Sequence, residues 1–329
     1  MLTEDWRGRI DAGDGDSGRR WHQVVQPLTA ESPPGTALLG FACDEGVSRN
    51  QGRTGASEGP RALRRALAPL AWHGAAGGAL YDAGDIACVD GDLEGAQRAL
   101  GGRVATLLAT GHFPMLLGGG HEIAWGSFQG AAAALEDSGR LSRYGIINFD
   151  AHFDLRQGPP SSGTPFFQIY QSLNSKDRAF RYLCLGISRA SNTPALFHIA
   201  QQCGARWLSD EALTWAGWEP ARRAVDAFID ELDALQLSVC LDAFPAAAAP
   251  GVSAPAGRGL APDLGLALLA HVLARAGHGT AKSKVVLAEV AELAPRLDPD
   301  GRTARLAARV VHDIVTPTPR ASATSRAST

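Results

Sequence analysis

Short runs rich in Leu, Val and Ile recur along this chain, mostly separated by segments with helical spacing, and that alternation constrains its fold more than any other feature. ALLGFAC (37–43), FPMLLGGG (113–120), the run ending at Asp150, RYLCLGIS (181–188), LSVCLDAF (237–244) and KVVLAEVAEL (284–293) read as strands. Pro60 opens a helix over PRALRRALAPLA, with proline in the first turn. Residues 93–110, 123–136, 220–235, 262–277 and 302–315 also read as helices. Strands joined by helices of this length predict a three-layer α/β/α fold with a central, mostly parallel sheet. Runs without polar alternation suit strands buried on both faces.

No internal repeat and no linker divides the chain. One domain is expected over 36–315, after a polar extension (1–35) and before a tail (316–329) that lacks large apolar residues and is expected to be disordered. Trp6, Trp21 and the segment VVQPL suit packing on the core or on a neighbouring subunit.

The polar residues that end the strands carry the chemistry. Asp150, His152 and Asp154 follow the strand-like Tyr144, Ile146 and Ile147. Continued as a strand, they would project from one face at intervals of about 6.6 Å. Two carboxylates and an imidazole gathered there are costly unless a positive charge sits among them. A divalent metal ion answers that need, with room for two. GGG delivers His121 and Glu122, LSVCLD delivers Asp242, and VVLAEVAE delivers Glu292. Parallel α/β sheets bind ligands at these carboxyl ends. Taken alone, His121 reads equally as a loop histidine and Asp242 as a turn acid before Pro245; together with D-x-H-x-D they read as ligands. Asp242 is expected to share a strand face with Cys240.

Other classes are disfavoured. A net charge of -3 implies no broad basic surface for nucleic acid. No apolar run approaches membrane-spanning length. The acidic, polar start is unlike a secretory signal, and the five scattered cysteines lack C-x-x-C spacing, so a cytoplasmic protein with buried thiols is expected. LLGGGH lacks both the G-x-G-x-x-G spacing and the P-loop lysine of nucleotide sites.

GGGHE, NFDAHFD and LDAFPAAAAPGVSAPAGRGL resemble, in order, the three metal-binding signatures of the ureohydrolase (arginase and agmatinase) superfamily. GVSRNQGRTGASEGPRALRRAL is similar to that family's N-terminal region, so the resemblance covers about residues 37 to 314. GGGHEIAWG, DAHFDLR, SSGTPFFQI, APGVSAPA and LAEVAELAP look most like the branch that acts on N-formimidoyl-L-glutamate in histidine degradation. The resemblance implies two Mn²⁺ ions per chain. His121, Asp150 and Asp154 would hold one; Asp150, His152 and Asp242 would hold the other, with Asp150 bridging. Imidazole and carboxylate donors suit that metal.

It further implies hydrolysis of a C–N bond in a linear amidine, releasing L-glutamate and formamide. Asp154 would orient the attacking water and Glu292 would pair with the amidine nitrogens. A bound water, Glu122 or Asp154 would protonate the departing amine. Arg156, then Arg53 and Arg189, are candidates to clamp substrate carboxylates, and Ser253 is a candidate substrate contact. Each has a structural alternative: a loop staple, a surface ion pair or a backbone cap. A small-molecule substrate and a homo-oligomer, trimeric or hexameric, are the implied partners.

Three departures stand out. Cys240 occupies the place of a bridging aspartate. Without it, three carboxylates set a charge of -3 against +4 for two ions. Either a Cys240 thiolate replaces the bridge and tilts preference toward zinc or iron, or Cys240 is a small buried thiol and one ion binds weakly. Ala294 stands where asparagine is frequent. Phe166 stands where arginases carry a proton-transferring histidine, and an aromatic ring cannot shuttle a proton. The alternatives are therefore hydrolysis of another guanidino or amidino compound, and a catalytically impaired relative.

Overall fold

Each of the six apolar runs expected as a strand forms one, and with three further strands they build a nine-stranded parallel sheet among the described residues. The computed structural model describes residues 4–74 and 78–316. The strands are β1 (Gln26–Pro27), β2 (Gly35–Ala42), β3 (Ala79–Ala87), β4 (Phe113–Leu117), β5 (Tyr144–Phe149), β6 (Arg181–Ile187), β7 (Arg206–Ser209), β8 (Ala234–Cys240) and β9 (Val285–Ala291). Their order across the sheet is β1-β3-β2-β4-β9-β8-β5-β6-β7. The helices are α1 (Trp21–Val24), α2 (Glu45–Arg49), α3 (Gly59–Leu67), α4 (Leu93–Ala109), α5 (Ile123–Leu135), α6 (Pro165–Asn174), α7 (Pro194–Gln202), α8 (Trp218–Asp230), α9 (Pro262–Arg275) and α10 (Arg302–Val315).

Two apolar layers flank the sheet. Helices α3, α8, α9 and α10 cover one face, through residues such as Leu63, Phe228, Leu268 and Val311. Helices α4 to α7 cover the other, through Leu100, Phe128, Ile169 and Leu196. Successive strand residues alternate between the layers: Met115 and Leu117 pack in the first, Leu116 in the second. The expected three-layer α/β/α architecture is therefore the one observed.

The N-terminal segment, which showed no clear element in the sequence, docks Trp6 and Trp21 into the core, and β1 pairs with β3. Strand β3 was not expected, because Asp82 and Asp85 break its apolar run. Its acids are matched by Arg64 on α3, only 1% exposed, which contacts Asp82 at 2.9 Å and Asp85 at 2.7 Å. Trp6 Nε1 also donates to Asp82. Nearly all of the expected disordered tail lies outside the described residues. No helix among the described residues is long and apolar enough to cross a membrane.

Candidate metal centre

Strands β4, β9, β8 and β5 are adjacent in the sheet. At about 4.8 Å per strand, their four ends span about 15 Å, and chain segments just past those ends carry the expected ligands. After β4, a Cβ on Gly119 would lie 1.8 Å from the Cys43 carbonyl oxygen. Only glycine lets the turn leading to His121 pass so close to its neighbour.

The route by which the D-x-H-x-D residues converge differs from the strand alternation read in the sequence. Strand β5 stops at Phe149, and Asp150 to Asp154 form a loop. Extended, Asp150 and Asp154 would stand about 13 Å apart. The loop instead turns through a left-handed Asp154 (φ 49°). Asn192 clasps it, accepting from Phe153 N and donating to Ala151 O. Asp242 likewise lies past its strand, in the single turn Leu241–Ala243, so strand alternation is not what sets it beside Cys240.

His121 Nδ1 lies 2.9 Å from both Asp150 Oδ2 and Asp154 Oδ2. His152 Nδ1 lies 3.0 Å from Asp242 Oδ2 and 3.5 Å from Asp150 Oδ1. Asp150 thus offers one oxygen to each histidine, and two ligand groups share it: His121, Asp150 and Cys240, and Asp150, His152 and Asp242. His121 Nδ1 is buried and, despite its short contacts, makes no hydrogen bond; Asp242 Oδ1 is orphaned in the same way. Neighbouring donors on an octahedral divalent ion at about 2.1 Å sit about 3.0 Å apart. Donor atoms at that spacing, with His121 Nδ1 and Asp242 Oδ1 making no hydrogen bond, fit such ions.

The electrostatics point the same way. Burial opposes protonation of both imidazoles, but the carboxylates against them prevail and hold His121 and His152 well above the ordinary histidine range. Burial also opposes the charge on Asp150, yet the two histidines keep it below the usual carboxylate range. Burial, reinforced by Asp150, pushes Asp154 up to about 6 and raises Asp242. Protons on the histidines supply the positive charge that bound metal would supply instead. Burial, with Asp150, Asp242 and Glu292 nearby, raises the Cys240 thiol and keeps it neutral without metal; a coordinated cation reverses that and deprotonates a thiol.

A cavity of about 320 Å³ opens over these groups. Glu292 lines it. One oxygen of Glu292 accepts from His121 N at 2.9 Å, and the other, Oε2, is buried without a partner. Burial, then repulsion from Glu122 and Asp242, lifts its pKa to about 8. Gln51, Asp154 and Glu292 all line the cavity and all have positive φ, a conformation uncommon outside glycine. Such strain concentrates at functional sites.

The candidate substrate residues separate clearly. Arg156 lines the cavity and, among the described residues, has no ion pair; it lies across Gly163, where a Cβ would meet its Cδ at 2.8 Å. Arg53 also lines the cavity, but its guanidinium is committed to the carbonyls of Ser253 and Val252. Ser253 accepts from Arg53 N. Arg189 is exposed and lies outside the cavity lining. Glu122 turns away, accepting from Gly46 N and Cys43 Sγ, and Phe166 is buried edge-on against His121. Neither lines the cavity. Asn50, Ser162 and Asn192 line it without having been singled out in the sequence. Asn50 donates to Ser162 across more than a hundred residues, a pairing no local motif signals.

With this geometry in place, comparison with known proteins is decisive at the level of family. The arginase family model matches residues 35–316, and the chain belongs to that family. It is 49% identical to the formimidoylglutamase of Chromobacterium violaceum over 308 residues, covering 93% of this chain and 95% of that one. It is 50% identical to that of Nocardia farcinica over 313 residues, with 94% and 96% covered. The structure of Trypanosoma cruzi formiminoglutamase with Mn²⁺ aligns with a TM-score of 0.75 at 26% identity, covering 92% of this chain and 99% of that one.

Proposed function

We propose that this chain is a binuclear-metal amidine hydrolase that converts N-formimidoyl-L-glutamate and water to L-glutamate and formamide. The observation that carries the reading is one cavity holding complementary ends: Glu292 with a free buried oxygen, and Arg156 without an ionic partner. An amidine cation suits the first and a carboxylate the second. The relatives named above are formimidoylglutamases, which supports the same substrate.

Two divalent ions, Mn²⁺ as in the trypanosomal enzyme, would be held by His121, Asp150 and Asp154 and by His152, Asp150 and Asp242, and would supply Lewis acidity and an ionisable water at neutral pH. Cys240 is a further donor on the His121 side. The protein's own groups do the rest. Glu292 Oε2 receives an amidine N–H and fixes the trigonal carbon over the centre. Asp154, a carboxylate in the cavity lining, is placed to take a proton from the attacking water. A C–O bond forms at the formimidoyl carbon, the C–N bond to glutamate breaks, and Asp154 returns the proton to the departing amine. Of the donors considered in the sequence, Asp154 lines the cavity and Glu122 does not.

Purified protein loaded with Mn²⁺ should bind two equivalents and release formamide and glutamate in equal amounts. No uptake and no turnover would end the reading. Arg156→Ala should raise KM about 10–100-fold with a smaller change in kcat, reflecting about 1.5–3 kcal/mol for a charged hydrogen bond. Steady-state kinetics decide it, and an unchanged KM would remove Arg156 from the substrate site. Cys240→Asp exchanges a soft donor for a hard one, so Mn²⁺ affinity relative to Zn²⁺ should rise by about tenfold or more. Chelator competition with each metal measures that ratio; if it does not move, Cys240 is not a ligand.

A further inference from the structure

On the sheet face covered by α4 to α7, the strands beneath the metal centre carry a row of polar side chains where apolar ones would pack. Tyr144 and Asn148 on β5, Gln236 and Ser238 on β8, and Glu289 on β9 are each no more than 1% exposed. Register sets Ser238 beside both Asn148 and Glu289. Tyr144 Oη donates to Gln236 Oε1 at 2.7 Å, and Gln236 Nε2 donates to Glu289 Oε1 at 3.0 Å. Ser127 on α5 hydrogen-bonds Glu289 Oε2, and Ser238, its register partner on β8, stands beside the same carboxyl group. No arginine or lysine pairs with Glu289 among the described residues. An acid buried this way costs stability that an apolar side chain of similar volume would not.

The row ends at the metal centre. His121 Nε2 lies 2.9 Å from Ser238 Oγ. Because Nδ1 of the same ring faces Asp150 and Asp154 without making a hydrogen bond, Nδ1 presents its lone pair to a cation and Nε2 carries the hydrogen. Ser238 then accepts from His121 and is free to donate its own hydroxyl hydrogen to Glu289. Phe166 packs edge-on against the imidazole, with centroids 5.3 Å apart, and restrains its plane.

We infer that Glu289 is a positioning residue for the metal centre: through Ser238 it fixes the tautomer and aim of His121 and strengthens that ring as a donor. The inference rests on the reading of His121 as a metal ligand. Partners behind metal-binding histidines are typically worth 10–100-fold in metal affinity.

The test is Mn²⁺ dissociation constants for the full chain by chelator competition, alongside thermal midpoints of the metal-free forms. Glu289→Gln keeps the shape and removes the charge. Ser238→Ala breaks the link by one atom and keeps the test open should the first variant fold poorly. Tyr144→Phe removes only the far end of the row and serves as the control. Both link variants should bind one of the two ions about 10–100-fold more weakly, with the second ion and the control near wild type. At saturating Mn²⁺, turnover by Glu289→Gln should recover to within a few-fold of wild type. If either folded link variant binds both ions as wild type does, whatever its midpoint, Glu289 is structural and the inference is overturned. If wild type itself binds no Mn²⁺, the metal reading fails, and the inference with it.

Discussion

Asp150→Ala should strip both ions from the centre and cut turnover by several orders of magnitude, on the order of 10⁴-fold. Among the described residues, Asp150 is the one candidate ligand that belongs to both groups. Its Oδ2 faces His121 and accepts from Asn148 at 3.0 Å, while its Oδ1 faces His152 and accepts from that residue's backbone N–H at 2.7 Å. The carboxylate is fully buried and held ionised by the two imidazoles. Without it, His121 retains Asp154 and His152 retains Asp242, two fragments with no shared atom and three units of carboxylate charge reduced to two. Asp242→Ala, by contrast, touches only the His152 side and should spare the other ion. Metal content by elemental analysis, paired with formamide release, separates the two variants. If Asp150→Ala kept two tightly bound equivalents, the shared-carboxylate centre would be wrong.

How these residues meet was less legible than which residues meet. Apolar runs announced β2, β4, β5, β6, β8 and β9, because strands buried on both faces tolerate few polar positions. They did not announce β3, whose Asp82 and Asp85 read as loop until Arg64 appears from α3 to match them. SSGTPFFQI carries no element assignment in the sequence, yet Pro165 opens α6, whose Phe166 and Ile169 find a buried face only in the folded chain. The ligand types at strand ends were legible from spacing and resemblance. Their convergence was attributed to alternation along a strand, whereas a left-handed Asp154 and the Asn192 clasp produce it. The sequence ranks Arg156 ahead of Arg53 and Arg189 only by its place just past the ligand run. What separates them is long-range: carbonyls two hundred residues away occupy Arg53, and Gly163 leaves Arg156 a path across the cavity wall.

Glu292→Gln should lower kcat/KM by about 10²–10³-fold, the range for removing one preorganised electrostatic partner of a transition state. The same change should make the metal-free chain more stable than wild type at pH 8. Both follow from one arrangement. Glu292, a residue of the cavity lining, is anchored by its backbone N–H to Gly119 O and by Oε1 to His121 N, which leaves Oε2 buried without a partner. In the empty site its charge is unwelcome: burial, then Glu122 and Asp242, raise its pKa from 4.5 to about 8. Between those values the folded chain binds more protons than the unfolded chain, so rising pH erodes stability until the folded pKa is passed. Glutamine has no proton to lose, and the advantage of the variant should grow from pH 5 to pH 8. A cationic amidine reverses the demand, because it needs the carboxylate ionised and meets a repelling NH₂ group in glutamine. Steady-state kinetics of the metal-loaded variant, with thermal unfolding of chelator-treated protein across that pH range, test both halves. An unchanged kcat/KM would remove Glu292 from the reaction, and a stability difference that ignores pH would mean its buried oxygen is not the group that titrates.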